Sequence, residues 1–136
     1  MQSNRVGALL PDNFGNFSIV NVQSASIGTT GNAAVTLPVQ AGSSYIVRRI
    51  TVANASTNIG AANVVILTSS DGNASNAVSN VTVLSSVTSA TTYQDIPLAT
   101  GAATTVYSAP ALFLKVNTAV ANATCDIQVY GDIVTP

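Results

Sequence analysis

Ten side chains hold almost all the acid, base and nucleophile chemistry open to this chain: Arg5, Arg48, Arg49, Lys115, Asp12, Asp71, Asp95, Asp126, Asp132 and Cys125. Histidine is absent and every acidic residue is an aspartate. General acid and base catalysis near neutral pH leans on His or on a carboxylate with a raised pKa, so only the aspartates remain. Asp126 and Asp132 share one side of a strand pattern yet lie ~20 Å apart at the rise of an extended chain. Paired glycosidase carboxylates sit roughly 5 to 10 Å apart, which excludes these two. A Ser-His-Asp or Cys-His unit cannot form. A Ser-Lys pair would need Lys115, which the alternation of its neighbours turns outward. No enzymatic activity and no catalytic residue is expected.

Metal chemistry finds little more, because zinc needs His or several Cys and Cys125 stands alone. Asp71, Gly72, Asn73, Ala74, Ser75 and Asn76 are rich in oxygen, but an EF-hand loop would need Gly at its sixth position and a bidentate Glu at its twelfth. A loop tip explains the same residues through positive φ and Asx-turn bonding. No phosphate-cradling loop followed by Lys occurs, so no metal and no cofactor is expected. Asn16, Asn54, Asn73, Asn80 and Asn122 each open an Asn-x-Ser/Thr triplet, a chance product of this composition. A single Cys125 excludes an intrachain disulfide, and the residue reads as a small buried hydrophobe.

Arg48 and Arg49 occupy adjacent positions of a strand pattern and so point to opposite faces. Arg48 falls on the apolar side and would need a carboxylate there, with Asp95 or Asp126 as the candidates. A structural ion pair at a sheet edge is the favoured reading. The alternative is a contact with another subunit or a receptor through Arg49 flanked by Tyr45. Four tyrosines and no tryptophan leave glycan stacking as a secondary reading, with Tyr93 and Tyr130 as its candidates.

Charged residues make up 7% of the chain and the net charge is −1. Ordinary soluble domains carry roughly three to four times that charged fraction. Nucleic acid is not expected as a partner of a chain with four cations, since each phosphate contact needs a Lys or Arg. A surface of Ser, Thr, Asn and Ala repels its own copies poorly and suits a subunit packed against neighbours. No apolar run nears the ~18 residues of a membrane helix. The stretch at residues 6–10 is too short for a secretory leader, so synthesis and assembly in a cytoplasm are expected.

The elements that must carry these residues are strands. Val, Ile and Thr dominate, and no long segment repeats apolar residues at helical spacing. Cys125, Ile127, Val129, Gly131 and Ile133 alternate with Asp126, Gln128, Tyr130 and Asp132. Leu112, Leu114 and Val116 alternate with Phe113, Lys115 and Asn117. Residues 45–54 form the longest β-rich run, with Ile46, Ile50 and Val52 on one side and Tyr45, Val47, Arg49 and Thr51 on the other. Shorter candidates cover residues 17–24, 33–37, 63–68, 80–85, 91–96 and 104–108. Eight or nine strands without helices predict one all-β domain over 17–136, an antiparallel β-sandwich with a jelly roll ranked above an immunoglobulin-like order. Residues 1–16 lack alternation and read as an extended N-terminal arm. Either it is a loose terminus, or Val6, Leu9, Leu10 and Phe14 anchor it to a neighbouring subunit.

Residues 45–56, reading YIVRRITVANAS, the Leu-x-Leu strand at 112–117 and residues 125–133, reading CDIQVYGDI, resemble small β-sandwich structural proteins of tailed bacteriophage virions. The resemblance spans most of residues 17–136 by texture and rests on no invariant motif. It implies a capsid decoration or cement protein: a jelly-roll homotrimer seated on the major capsid protein, on the exterior of the virion, with no nucleic-acid or membrane partner. The arm would then suit docking on the capsid or a neighbouring copy, and the candidate assembly contacts read from the residues are Val6, Leu9, Leu10, Phe14, Tyr45 and Arg49. Fibre tips share the texture, so a glycan- or receptor-binding domain stands as the alternative.

Overall fold

The structure, a computed structural model, describes residues 17–40 and 44–134. The expected arm, with Val6, Leu9, Leu10 and Phe14, lies outside the described residues. Eight strands follow in order: β1 (Phe17–Ser26), β2 (Gly31–Pro38), β3 (Ser44–Ala53), β4 (Asn63–Leu67), β5 (Thr82–Val83), β6 (Tyr93–Asp95), β7 (Ala111–Thr118) and β8 (Thr124–Val134). Two short 3-10 turns, Ala74–Asn76 and Ala102–Thr104, interrupt them. No helix among the described residues is long and apolar enough to cross a membrane.

The strands form two four-stranded antiparallel sheets, ordered β1-β8-β3-β6 and β2-β7-β4-β5. Each strand pairs with the one equally far from the other end of the set: β1 with β8, β2 with β7, β3 with β6 and β4 with β5. This nesting, closed by the β3–β8 and β4–β7 ladders, is the jelly-roll order. Ile19, Val20, Val47, Ile50, Val52, Ile127 and Val129 of the first sheet meet Leu37, Val64, Ile66, Leu112, Leu114 and Val116 of the second in one buried core.

Strands β7 and β8 follow the predicted alternation, with Leu112, Leu114 and Val116, and Cys125, Ile127 and Val129, all buried. Strand β3 does not. Val47 lies opposite Gly131 and Arg49 opposite Tyr130, so Arg48 is an extra residue with no partner position on β8. This bulge reverses the phase of the strand. Tyr45 and Val47 therefore join Ile50 and Val52 in the core, and Arg48 and Arg49 are both exposed. Strict alternation would have carried a guanidinium into the core, at a desolvation cost of about several kcal/mol. The expected partners also change: Arg48 binds Asp132 (Nε to Oδ2, 2.9 Å) and Arg49 binds Asp95 (Nε to Oδ1, 3.2 Å). The first pair joins β3 to β8 inside the sheet rather than at its edge. It also leaves Asp132 only 9% exposed, where alternation alone predicts a wet position.

The ninth candidate, residues 104–108, is no strand. Thr104 ends a 3-10 turn, and Tyr107 makes a single antiparallel bridge to Tyr45. Arg48 Nη1 donates to the Ala103 carbonyl at 3.1 Å and so ties this segment to β3.

Asp126 organises the far end of the first sheet. Its two carboxylate oxygens accept Ser24 N at 3.0 Å and Asn54 Nδ2 at 3.1 Å. Ser24 and Asn54 both have positive φ, at 56 and 51 degrees. That is the left-handed region, so one carboxylate steadies two strained positions. Gly131 is needed for a different reason: a Cβ there would meet the Ile46 carbonyl oxygen at 1.8 Å.

Two substitutions test the bulge. Arg48→Ala is expected to lower unfolding stability by about 1 to 2 kcal/mol, because Asp132 is largely buried, whereas Arg49→Ala should lower it by less than about 1 kcal/mol. Urea midpoints measured at one protein concentration give both values, and equal losses would contradict the assigned pairs. Gly131→Ala should destabilise by about 3 kcal/mol or more through backbone overpacking. An unchanged midpoint for that variant would refute the close approach of Ile46.

Candidate functional site

The outer face of the first sheet gathers the polar side chains into rows. Asn21, Gln128, Thr51 and Asp95 are register partners across all four strands. Ser18, Tyr130 and Arg49 make the next row, and Asp126, Ala53 and Tyr93 make the row on the other side. Period-two alternation puts these side chains outward, because their neighbours Ile50, Val52, Ile127 and Val129 face the core. Asp95 Oδ1 accepts both Thr51 Oγ1 at 2.7 Å and Arg49 Nε at 3.2 Å. Tyr130 Oη donates to Gln128 Oε1 at 2.7 Å. A shallow depression of about 150 Å³ lies among Arg49, Thr51, Gln128 and Tyr130. Nothing in it supplies a base and a nucleophile together, and no group of three or more His, Cys, Asp or Glu occurs among the described residues.

Of the surface contacts expected from the sequence, Arg49 is placed on this face and Tyr45 is not. Tyr45 is fully buried, its Oη donates to the Ala109 carbonyl at 2.8 Å, and its ring packs 6.1 Å from that of Tyr107. The bulge at Arg48 accounts for this, since it puts Tyr45 in phase with the core. A residue so enclosed offers no area to a neighbouring copy. Tyr93, by contrast, is 61% exposed beside Asp95.

The loop at Asp71 is a turn held by its own side chains. Gly72 has a positive φ of 75 degrees, Asn73 N donates to Asp71 Oδ1 at 2.9 Å, and Ser75 N donates to Asn73 Oδ1 at 2.9 Å. The Asn73 backbone bond, above all, holds the Asp71 carboxyl below its ordinary range, as hydrogen bonds to a charged form do. Lys115 Nζ donates to the Gly72 carbonyl at 3.2 Å. With Arg48–Asp132, Arg49–Asp95 and the two bonds of Asp126, every ionised side chain among the described residues has a partner inside the chain.

A second surface has a fainter sequence signal. Val65 and Leu67 are buried but stand outside the main core, on the outer face of the second sheet, where they floor a groove of about 430 Å³. The unbroken apolar run Val64, Val65, Ile66, Leu67 is that signal, because a strand with one wet face would alternate.

Comparisons of the chain with family models, with curated proteins and with solved structures each gave no match.

Burial sets the titration of two core groups. The Cys125 thiol is pushed up to about 12 by desolvation and then by the Asp126 charge, and the Tyr45 phenol up to about 12 by desolvation and then by Tyr107. In both, a low-dielectric site disfavours the charged form. Both folded values are raised, so their contribution to stability is full below the unfolded values near 9 and 10 and is lost as pH rises through about 12, as proton linkage requires. Alkaline unfolding should set in across that window, and Tyr45→Phe should remove the tyrosine part of the loss. At about pH 8 a thiol-reactive disulfide should label Cys125 only after urea unfolding. Stoichiometric labelling of folded protein would show that the thiol is accessible.

Proposed function

We propose that this chain is a virion structural protein that decorates the exterior of a capsid and cements its shell through non-covalent subunit contacts. The observation that carries the reading is the internal pairing of the described charges. Association of such faces desolvates few ions that are not already engaged within the chain, and obligate interfaces are depleted of charge at their centres. Phe17, Val81, Val83, Tyr93 and Val106 are large apolar side chains left exposed. Burial against a neighbour stabilises each by roughly 25 cal/mol per Å² of apolar area. The jelly-roll order fits the virion texture of the sequence, and many weak contacts repeated around a symmetric shell add to high avidity.

The experiment is a mass measurement followed by addition to particles assembled from a major capsid protein without this chain. The expected result is a trimer that adds in a fixed number per lattice site and raises the temperature at which the shell ruptures. Its affinity should change less than about tenfold between ~0.1 and ~1 M salt, since little of the contact is ionic. A monomer at millimolar concentration that leaves the shell unchanged would overturn the proposal.

Tyr93 favours one other reading. An exposed ring two residues along β6 from Asp95, which itself binds Arg49 and Thr51, puts a stacking surface near planar hydrogen-bonding groups, the chemistry of a saccharide site. Glycan binding lost on Tyr93→Ala, with no affinity for capsids, would decide for a receptor-binding domain.

A further inference from the structure

The outer face of the first sheet has an open path along β3. Arg49, Thr51 and Ala53 are its successive outward positions, so the ends of that row lie ~13 Å apart. At one end the depression among Arg49, Thr51, Gln128 and Tyr130 indents the face. At the other end Ala53 stands in register between Tyr93 of β6 and Asp126 of β8. Paired residues of a sheet have Cβ atoms about 5 Å apart, so the methyl of Ala53 leaves a low place that the exposed Tyr93 borders.

Hydrogen-bonding capacity remains along this path. The side chains of Arg49 and Asp95 are each 51% exposed, and their ion pair uses Arg49 Nε and Asp95 Oδ1. Among the described residues no bond is found for the Arg49 Nη groups, for Asp95 Oδ2 or for Gln128 Nε2. The path therefore presents donors and acceptors together, on planar groups already steadied by their other bonds. A hydroxyl both donates and accepts, so a ligand rich in hydroxyls satisfies both kinds. Away from the tyrosine rings and the Ala53 methyl the lining is polar, which suits a hydrated ligand better than the apolar centre of a protein interface.

Charge selects among such ligands. One cation, Arg49, stands along the path against two carboxylates, Asp95 and Asp126, which leaves one negative charge in excess. An acidic sugar would meet that excess, while the guanidinium that could offset it is engaged by Asp95. An uncharged sugar meets no such repulsion.

We infer that this path binds a linear, uncharged saccharide chain, with one ring stacked on Tyr93 above Ala53 and the hydroxyls of a further ring bonded to Arg49 and Gln128 in the depression. The inference rests on the glycan reading of Tyr93 and adds to it the charge class of the ligand and a length of several rings, since a path of ~13 Å is longer than one ring.

The folded chain is titrated with linear tetrasaccharides of glucose, mannose, galactose and N-acetylglucosamine, with the matching monosaccharides and with tetragalacturonate, and binding is read from amide NMR shifts. The expected result is binding of a neutral tetrasaccharide at least about tenfold tighter than its monosaccharide. Its affinity should change less than about twofold between ~0.1 and ~1 M salt, because the ligand carries no charge. Ala53→Leu fills the low place and Tyr93→Ala removes the stacking surface, and each should weaken binding at least about tenfold, whereas Tyr93→Phe should weaken it less than about threefold. Gln128→Ala and Arg49→Ala should each weaken it about fivefold. Preference for tetragalacturonate, equal affinity for the monosaccharide, or binding that Tyr93→Ala abolishes but Ala53→Leu leaves intact overturns the inference and leaves the glycan reading standing. No shift with any of these saccharides removes both.

Discussion

The architecture depends on the register of β8. This strand is hydrogen-bonded along both edges, to β1 and to β3, so the phase of its alternation dictates which side chains of both neighbours enter the core. Both neighbours fit that phase only by bulging. Beside β8, β1 slips between Ser18 and Val20 and again between Val22 and Ala25, and β3 slips at Arg48. The first slip buries Ile19 and Val20 in succession, and the slip at Arg48 exposes Arg48 and Arg49 in succession. Gly131 stands at the crowded point, where Ile46 and Ile19 both press against the β8 backbone. A side chain at that position would undo the two ladders together.

What the sequence makes legible follows from the same mechanics. Strand β8 pairs on both edges without an internal slip of its own and β7 slips only at Asn117, so the alternation is legible residue by residue from Leu112 to Val116 and from Cys125 to Tyr130. In β3 the run from Tyr45 to Val52 contains an inserted residue that no local propensity marks, because its only signal is a charge that strict alternation would bury. Arg48 is that signal. Alternation makes it an ion pair on the apolar side, but moving the strand by one residue costs less than burying the charge. The same slip misplaces Tyr45 in any reading by strict alternation. Residues 104–108 have the composition of a strand, but their ladder stops at a single bridge, and propensity carries no information about where a partner ends. The groove over Val65 and Leu67 needs the turn at residues 71–73 to wall it, a tertiary fact at which only the unbroken apolar run hints.

Charge placement connects the fold to association. A carboxylate that accepts two donors, as Asp126 and Asp95 do, is already stabilised before any partner arrives. Covering it therefore disturbs less hydration than covering a free ion. Part of the polar remainder of the first sheet is likewise engaged, Tyr130 with Gln128 and Thr51 with Asp95. Such faces suit contacts dominated by shape and apolar area, with long-range steering weak because no field of one sign extends from the surface.

The same economy of charge creates a hazard at the sheet edges, and the fold meets it by geometry. Long edge strands usually carry Lys or other charges against open-ended pairing, yet β1 and β2 contain no ionised residue. Here β1 is twice interrupted by register shifts, β2 loses its pairing between Gly31 and Val35, and β2 ends in Pro38. Gln40 N also occupies the Ile19 carbonyl at 2.8 Å. On the opposite flank β5 and β6 are two and three residues long, and Gln94 laces them by accepting Ser86 N and donating to the Val83 carbonyl. Among the described residues, a strand from another copy finds no long straight edge on either flank. In the proposed assembly, neighbours would then meet through side-chain faces, contacts of fixed geometry that can close, rather than through backbone ladders that can extend without limit.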